Sequence, residues 1–200
     1  PAPLVRRAAA RALGITGDTI AQPAVLAAAR AEQDPAARAT TLESLGRLAT
    51  AQGGGLRYLA EESLPTDPTA RGGWAWGLAR AAARAVVNDA AVARAVLLLR
   101  PDEPTAARLA AAHLLARAPR LDLTQHGGAI LAALRADSVR DVRLALVGSL
   151  GRVASPPARA ATLDLLRAAP DAHIRLAALR AATKLRYEVV KETIWGALAD

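Results

Sequence analysis

Residues 34–46 read Asp-Pro-Ala-Ala-Arg-Ala-Thr-Thr-Leu-Glu-Ser-Leu-Gly, and this stretch predicts the start of an α-helix. An aspartate side chain accepts the unpaired N–H groups at a helix start, and proline is tolerated directly after it. Arg38 is followed seven positions later, about two helical turns on, by an apolar residue. Similar stretches run from Asp137 to Gly151 and from Asp171 to Leu185. The chain is therefore predicted to repeat one helical unit.

The repeat is marked by one arginine in each unit, and we call these residues the inner arginines. They are Arg6, Arg38, Arg71, Arg108, Arg143 and Arg175. Their spacing of 32 to 37 residues is typical of helical-hairpin repeats. Helices of this second type are predicted to begin near residues 3, 34, 67, 102, 137 and 171. The acids predicted to cap them are Asp34, Asp67, Asp102, Asp137 and Asp171.

One first-type helix is predicted to follow each second-type helix. These helices are expected over residues 18–30, 56–64, 88–99, 124–136, 155–168 and 188–199. Glycines and prolines separate them.

The composition agrees with an all-α chain of 200 residues. Hydrophobic residues make up 52% of it, charged residues 22% and aromatic residues 2%, and alanine accounts for about a quarter. Alanine is the best helix former, and the aromatic and β-branched residues that strands prefer are few. The longest stretch without a charged residue, between Asp122 and Arg135, is shorter than the roughly 18 residues that a membrane span needs. The absence of cysteine excludes a disulfide framework and a cysteine-ligated metal.

The quoted residues resemble HEAT repeats of the short bacterial type that is also found in phycobilin-lyase-like proteins. Gly17-Asp18 with Pro23, then Asp34-Pro35, Arg38 and Leu45-Gly46, match the repeat pattern most closely. The segment from 137 to 151 is a second good match, and residues 51–84 match least. The resemblance implies a right-handed α–α superhelix of the HEAT/armadillo kind, with about six helical hairpins in one array over residues 1–200.

Both ends of the chain lie within a repeat in this register. Residues 4–13 form a second-type helix with no first-type helix before it, and Asp200 falls where another second-type helix would open. We therefore expect the chain to be a piece of a longer protein, and its uncapped ends are candidates for self-association.

The net charge of +8 is typical of chains that attract nucleic acid or acidic partners, although an arginine-rich composition also follows from coding bias. The inner arginines are expected to bond the acids of neighbouring turns, as a ladder with Asp34, Asp67 and Asp171. A second basic set lies nine residues after each inner arginine, about two and a half helical turns away, and is therefore expected to point away from the inner arginines. Its members are Arg47, Arg80, Arg117, Arg152 and Lys184. They are candidate contacts for acidic peptides, phosphates or lipid headgroups, or else charges that favour the helix ends.

A third set lies five residues after each inner arginine. It consists of Arg11, Glu43, Trp76, His113, Gly148 and Arg180. Most members are polar, so this set is expected to face solvent, where tryptophan is typical of binding hot spots. Trp76 is therefore a candidate partner-binding residue, with packing on the loop at 51–55 as the alternative. Trp74 is predicted to fill the core, and the three glycines around the pair predict a distorted helix or a close approach.

No arrangement of residues indicates catalysis. His113, His126 and His173 lie in different units without a second metal ligand at helical spacing. Gly53-Gly54-Gly55 lacks the lysine of a phosphate-binding loop, and no serine lies in a nucleophile elbow. We therefore predict no enzyme activity, no cofactor and no metal.

The predicted function is a scaffold for protein–protein interaction, with a protein or peptide as partner. One alternative is a nucleic-acid-binding solenoid like the HEAT-like DNA glycosylases, in which Trp76 and Glu43 would hold an extruded base. Another is an accessory array joined to a catalytic domain, such as a peptidyl-prolyl isomerase or protease, outside this stretch. No signal peptide is visible, and the compartment stays open.

Overall fold

A computed structural model describes residues 1–119, 121–185 and 187–199, without the side chains of 187–189 and 197–199. Every regular element in this part of the chain is helical. The twelve α-helices are α1 Pro3–Thr16, α2 Gln22–Ala31, α3 Pro35–Leu48, α4 Gly54–Glu61, α5 Pro68–Ala83, α6 Asp89–Leu97, α7 Thr105–Arg117, α8 Gly127–Ala136, α9 Arg140–Leu150, α10 Pro156–Ala168, α11 Ala172–Ala182 and α12 Tyr187–Ala199. Single 3-10 turns precede α2 and α8, at Thr19–Ala21 and Thr124–His126. The all-α prediction is confirmed, while Asp200 lies outside the described residues.

Aspartates cap three of the predicted helix starts. Asp34 accepts from the Ala37 N–H at 2.8 Å, Asp67 caps α5 in the same way, and Asp171 caps α11. These carboxylates stabilise the helix starts by accepting N–H groups that have no partner within the helix.

The helix starts near Asp102 and Asp137 differ from the prediction. Asp102 pairs with Arg100, and α7 begins only at Thr105, after Pro104. The residue before a proline is disfavoured in helical conformation, so the helix begins later than the aspartate suggests. Asp137 accepts from the N–H of Val139, the residue before α9.

The chain divides into two compact units, residues 1–114 and 115–200. Within the first unit, α1, α3 and α5 pack against one another in succession, and so do α2, α4 and α6. Within the second, α9 packs on α11 and α10 packs on α12, with α10 also against α11. Each unit is thus built from alternate helices side by side. One continuous array over residues 1–200 stays a prediction.

Helices α3 and α5 approach each other through glycines. A Cβ on Gly46 would lie 1.8 Å from the Gly77 carbonyl oxygen, and one on Gly73 would lie 2.3 Å from the Ala39 Cα. Real Cβ atoms do not come so near a backbone. The predicted close approach is therefore confirmed, and α5 stays continuous through its glycines rather than distorted.

The core consists mainly of leucine, valine and alanine. Leu42, Leu45 and Leu78 are fully buried between helices of the first unit, and Leu146 is fully buried in the second. Trp74 is completely buried, which confirms its predicted role. Among the described residues, no helix combines the length and the apolar character that crossing a membrane requires.

Several inner arginines bond to backbone carbonyls, and the predicted ladder with Asp34, Asp67 and Asp171 does not form among the described residues. Arg71, Arg108 and Arg175 each donate to a carbonyl five or six residues earlier, in the turn before their own helix. Asp34 and Asp67 act as helix caps, and Asp171 pairs with Arg140 instead of Arg143. The arginine side chain is long enough to reach carbonyls in the preceding turn. The aspartates do not meet these arginines because their carboxylates are already used as helix caps.

Two of these arginines also bind an acid of a neighbouring turn, but the acid is glutamate. Arg6 forms two bonds of 2.6 Å with Glu32, which is 5% exposed. Arg71 meets Glu103 at 3.0 Å. The hydrogen bonds from Arg6 outweigh burial and lower the pKa of Glu32 to about 2. Glu32 also accepts from the N–H groups of Gln33 and Asp34, so it anchors the turn before α3.

Replacing this acid as Glu32→Gln is expected to lower stability at neutral pH and to leave little difference near pH 2. The folded pKa of about 2 lies below the usual value of about 4.3. The ionised form therefore stabilises the fold above the unfolded pKa, and that stability is lost as the pH falls through the folded pKa. Urea unfolding midpoints of both proteins from pH 7 to pH 2 measure the effect.

A matched control is Glu62→Gln. Glu62 faces Arg30 at 3.6 Å, and both side chains are more than half exposed, so this pair contributes little. A difference between wild type and Glu32→Gln that stays constant from pH 7 to pH 2 would contradict the role given to the ionised carboxylate.

Candidate functional site

Trp76 lies in the middle of α5, on the side of that helix opposite the fully buried Trp74. Residues two apart on a helix point about 200° apart, so one indole enters the core while the other reaches the surface. Trp76 is half-buried. The adjacent glycines bring α5 close to α3, so the Trp76 indole projects beyond the small residues around it.

Two side chains pack against the Trp76 ring. The Arg80 guanidinium lies over it, 5.1 Å from the ring centroid, and the His113 ring lies 5.5 Å away at a tilt of 35°. A guanidinium over an indole face is a favourable cation–π arrangement. These contacts hold the indole in one orientation, whereas the sequence alternative placed it on the loop at 51–55.

Glu43 joins the tryptophan to two members of the second basic set. Its Oε1 accepts from Arg47 Nη2 at 2.8 Å and from Arg80 Nε at 2.9 Å. Burial opposes ionisation of Glu43, but the two arginines outweigh it and hold the pKa below its usual range. We call Glu43, Arg47, Trp76, Arg80 and His113 the Trp76 cluster. It lies on three helices, α3, α5 and α7.

The second basic set is less available than the sequence suggests. Arg47 and Arg80 are bonded to Glu43, and Arg152 donates through Nη1 to the carbonyl of Ala118, just after α7. Arg117 and Lys184 are exposed. The expectation that this set avoids internal bonds therefore needs correction for three of its five members. Their role in partner binding stays a prediction.

Further arginines bind the carboxyl ends of helices, a role that sequence reasoning missed. Arg84 donates to the carbonyls of Arg47 and Ala49, the second at 3.2 Å. Arg94 donates to Ala60 near the end of α4 at 3.1 Å. A cation there satisfies carbonyls that have no helical partner. Only the spacing of about 34 residues between donor and acceptor offers a signal for these bonds.

An apolar groove of about 440 Å³ lies in the first unit between α1 and α2. Its walls include Ala10, Leu13, Val25 and Ala28, and the Arg6–Glu32 pair borders it. Leu13 is 39% exposed. Leu4, Val5 and Ile15 on the same helix are exposed as well. The self-association through a chain end stays a prediction.

The described residues contain no group of three or more His, Asp or Glu side chains placed to hold a metal ion. Comparisons with models of protein families, with curated proteins and with solved structures found no match to this chain. The functional argument therefore depends on the surfaces described above.

Proposed function

We propose that this chain is a HEAT-like, right-handed α-solenoid module that binds a protein partner through the Trp76 cluster. The observation that carries the proposal is a half-buried tryptophan held by a guanidinium, which is itself fixed by Glu43. Tryptophan and arginine are the residues most enriched in binding hot spots. A side chain that is already ordered loses less conformational entropy when a partner binds.

The packing of alternate helices within each unit supports the solenoid part of the proposal. In such an architecture, equivalent positions on successive helices form one extended surface. Glu43, Trp76 and His113 occupy equivalent positions of the sequence repeat and lie on α3, α5 and α7.

The chemistry of the cluster favours a protein partner over an extruded nucleobase. Base-flipping sites stack the base on exposed aromatic faces beside a carboxylate. Here Arg80 covers one face of Trp76, and Glu43 is bonded to two arginines. A partner would contact the exposed part of the indole together with the rim of the guanidinium.

Trp76→Ala is expected to abolish partner capture while leaving the fold intact. Loss of a hot-spot tryptophan typically costs about 2 kcal/mol or more of binding free energy. The measurement is affinity capture from cell extract with wild type and variant, quantified at low and high salt, with circular dichroism of each protein. Trp195→Ala is the matched control, because Trp195 is a 62% exposed tryptophan outside the cluster.

Two outcomes would overturn the proposal. One is a folded Trp76→Ala protein that retains every partner of the wild type. The other is binding to DNA or RNA that falls steeply with salt and depends on Trp76, because a large salt slope is the sign of phosphate contacts.

A further inference from the structure

Two cations stand at the carboxyl ends of α9 and α11, in the second unit. Arg152 follows α9 by two residues, and Lys184 follows α11 by two residues. The Lys184 side chain runs past Gly151, so that its Cδ lies 3.1 Å from the place of a Cβ on that glycine. Within the described part of the chain, neither cation forms an ion pair.

The Trp76 cluster contains a carboxylate, that of Glu43, between two cations at equivalent positions of the repeat. In the sequence repeat, Arg152 and Lys184 take the positions of Arg47 and Arg80. The position of Glu43, four residues before the first cation, is occupied in the second unit by Gly148. In the first unit the Glu43 carboxylate accepts from both arginines, at 2.8 and 2.9 Å. The second unit therefore carries cations at the same two positions of the sequence repeat, just beyond the ends of α9 and α11 rather than within the helices, and without the carboxylate.

The two charges are placed at an electrostatic cost. Burial and the neighbouring charge of Arg152 lower the pKa of Lys184. Burial also lowers the pKa of Arg152, whose Nε is buried without a hydrogen-bond partner. A bound anion would relieve the repulsion between these two positive charges.

Two acids of the second unit are bonded elsewhere. Asp171 lies at the amino end of α11, about 16 Å of helix away from Lys184, and pairs with Arg140. Asp122 precedes Leu123, which bonds the Arg152 carbonyl, but its carboxylate accepts from Thr124.

We propose that Arg152 and Lys184 bind a side-chain carboxylate of an acidic peptide segment, in the place that Glu43 occupies between Arg47 and Arg80. The carboxylate is the chemistry that the first unit already places between these positions. Arg180, one turn before Lys184 and exposed, adds a third positive charge for a segment with several acids. This inference deepens the proposed function, on which it rests for the existence of a protein partner.

The test is to supply the missing carboxylate within the chain as Gly148→Glu. A Cβ at Gly148 meets only the Ala116 Cβ, at an ordinary 3.5 Å, so the backbone there accepts a side-chain Cβ without a clash. A fluorescein-labelled peptide of alternating glutamate and glycine, titrated at low salt, is expected to bind wild type. Gly148→Glu is expected to weaken that binding about tenfold, which corresponds to the loss of one charge-assisted contact.

Two variants control for effects other than occupation of the site. Gly148→Ala adds a side chain without charge and is expected to bind the peptide as wild type does. Gly128→Glu makes the same change in net charge at an exposed position near the start of α8, where no atom lies within 4 Å of a new Cβ, and is also expected to bind normally. Equal binding by Gly148→Glu and Gly148→Ala would overturn the proposal, and so would an equal loss in Gly128→Glu.

A second measurement follows the lysine itself. The chain contains only two lysines, Lys184 and Lys191, so their side-chain NMR signals are readily assigned with a Lys191→Arg variant. The peptide is expected to raise the pKa of Lys184 and to leave that of Lys191 unchanged. Equal shifts of both lysines, or a response to inorganic phosphate without one to the peptide, would overturn the proposed ligand. Neither measurement involves Trp76, so a failure of this site and a failure of the Trp76→Ala experiment are distinguishable.

Discussion

Gly46→Ala is expected to destabilise the first unit by about 1–3 kcal/mol or more, although alanine is the better helix former. The new methyl group would lie 1.8 Å from the Gly77 carbonyl oxygen and 2.5 Å from the Gly77 Cα. A flexible side chain can move out of the way, but the obstacle here is the backbone of α5. Helices α3 and α5 would have to separate, and the leucine contacts between them would loosen.

The sign of the change in unfolding free energy on Gly→Ala distinguishes a close helix–helix contact from helix propensity. A clash lowers stability, whereas the higher helix propensity of alanine raises it. Gly148→Ala in the interior of α9 adds the same atom against the Ala116 Cβ at 3.5 Å. That substitution is expected to stabilise its unit by about 0.5–1 kcal/mol. Urea unfolding of both variants, followed by tryptophan fluorescence and circular dichroism, measures the two changes. Stabilisation by Gly46→Ala would contradict the packing of α3 on α5.

Much of the helical structure follows from local signals that the sequence displays. Asp34-Pro35 and Asp67-Pro68 combine a capping side chain with a residue that can only begin a helix, so α3 and α5 start where predicted. The start of α7 was missed because the aspartate and the proline are separated there by Glu103. In that segment the proline decides where the helix can begin.

The arginine partners could not be predicted because spacing does not determine where a long side chain goes. Arg6 and Arg71 bind glutamates, whereas Arg175 donates to backbone carbonyls. The choice depends on whether the next turn offers a carboxylate within reach, as Glu32 does. A sequence pattern that records only the arginine contains no information about that turn.

The Trp76 cluster was only partly predictable for a related reason. The nine-residue spacing separates Arg80 from Arg71 on the helix, as expected, but it also places Arg80 one turn after Trp76. The guanidinium can therefore lie over the indole and reach Glu43 on the neighbouring helix. This outcome requires the close contact of α3 with α5, which the glycines allow and which a single-helix projection does not show.

Trp74→Ala is expected to be the most destabilising substitution of an aromatic residue in the described chain, with a cost of about 3–5 kcal/mol. The side chain is completely buried, and its ring lies 5.1 Å from that of Tyr58. Its removal leaves a cavity between α4 and α5 that rigid helices do not fill. Trp76→Ala, two residues further along α5, is expected to cost far less because that indole is only half-buried.

Trp74→Phe separates the hydrogen bond of the indole from its volume. The Trp74 Nε1–H donates to the Leu59 carbonyl at 2.7 Å, within the last turn of α4. The next carbonyl, that of Ala60, accepts from Arg94, so side chains of other helices satisfy the end of this eight-residue helix. Phenylalanine keeps most of the packing but leaves a buried carbonyl unpaired, which costs about 1–3 kcal/mol.

Urea unfolding should therefore rank wild type above Trp74→Phe and Trp74→Phe above Trp74→Ala, with amide exchange in α4 faster in both variants. A Trp74→Phe protein as stable as wild type would mean that the indole supports α4 by volume alone.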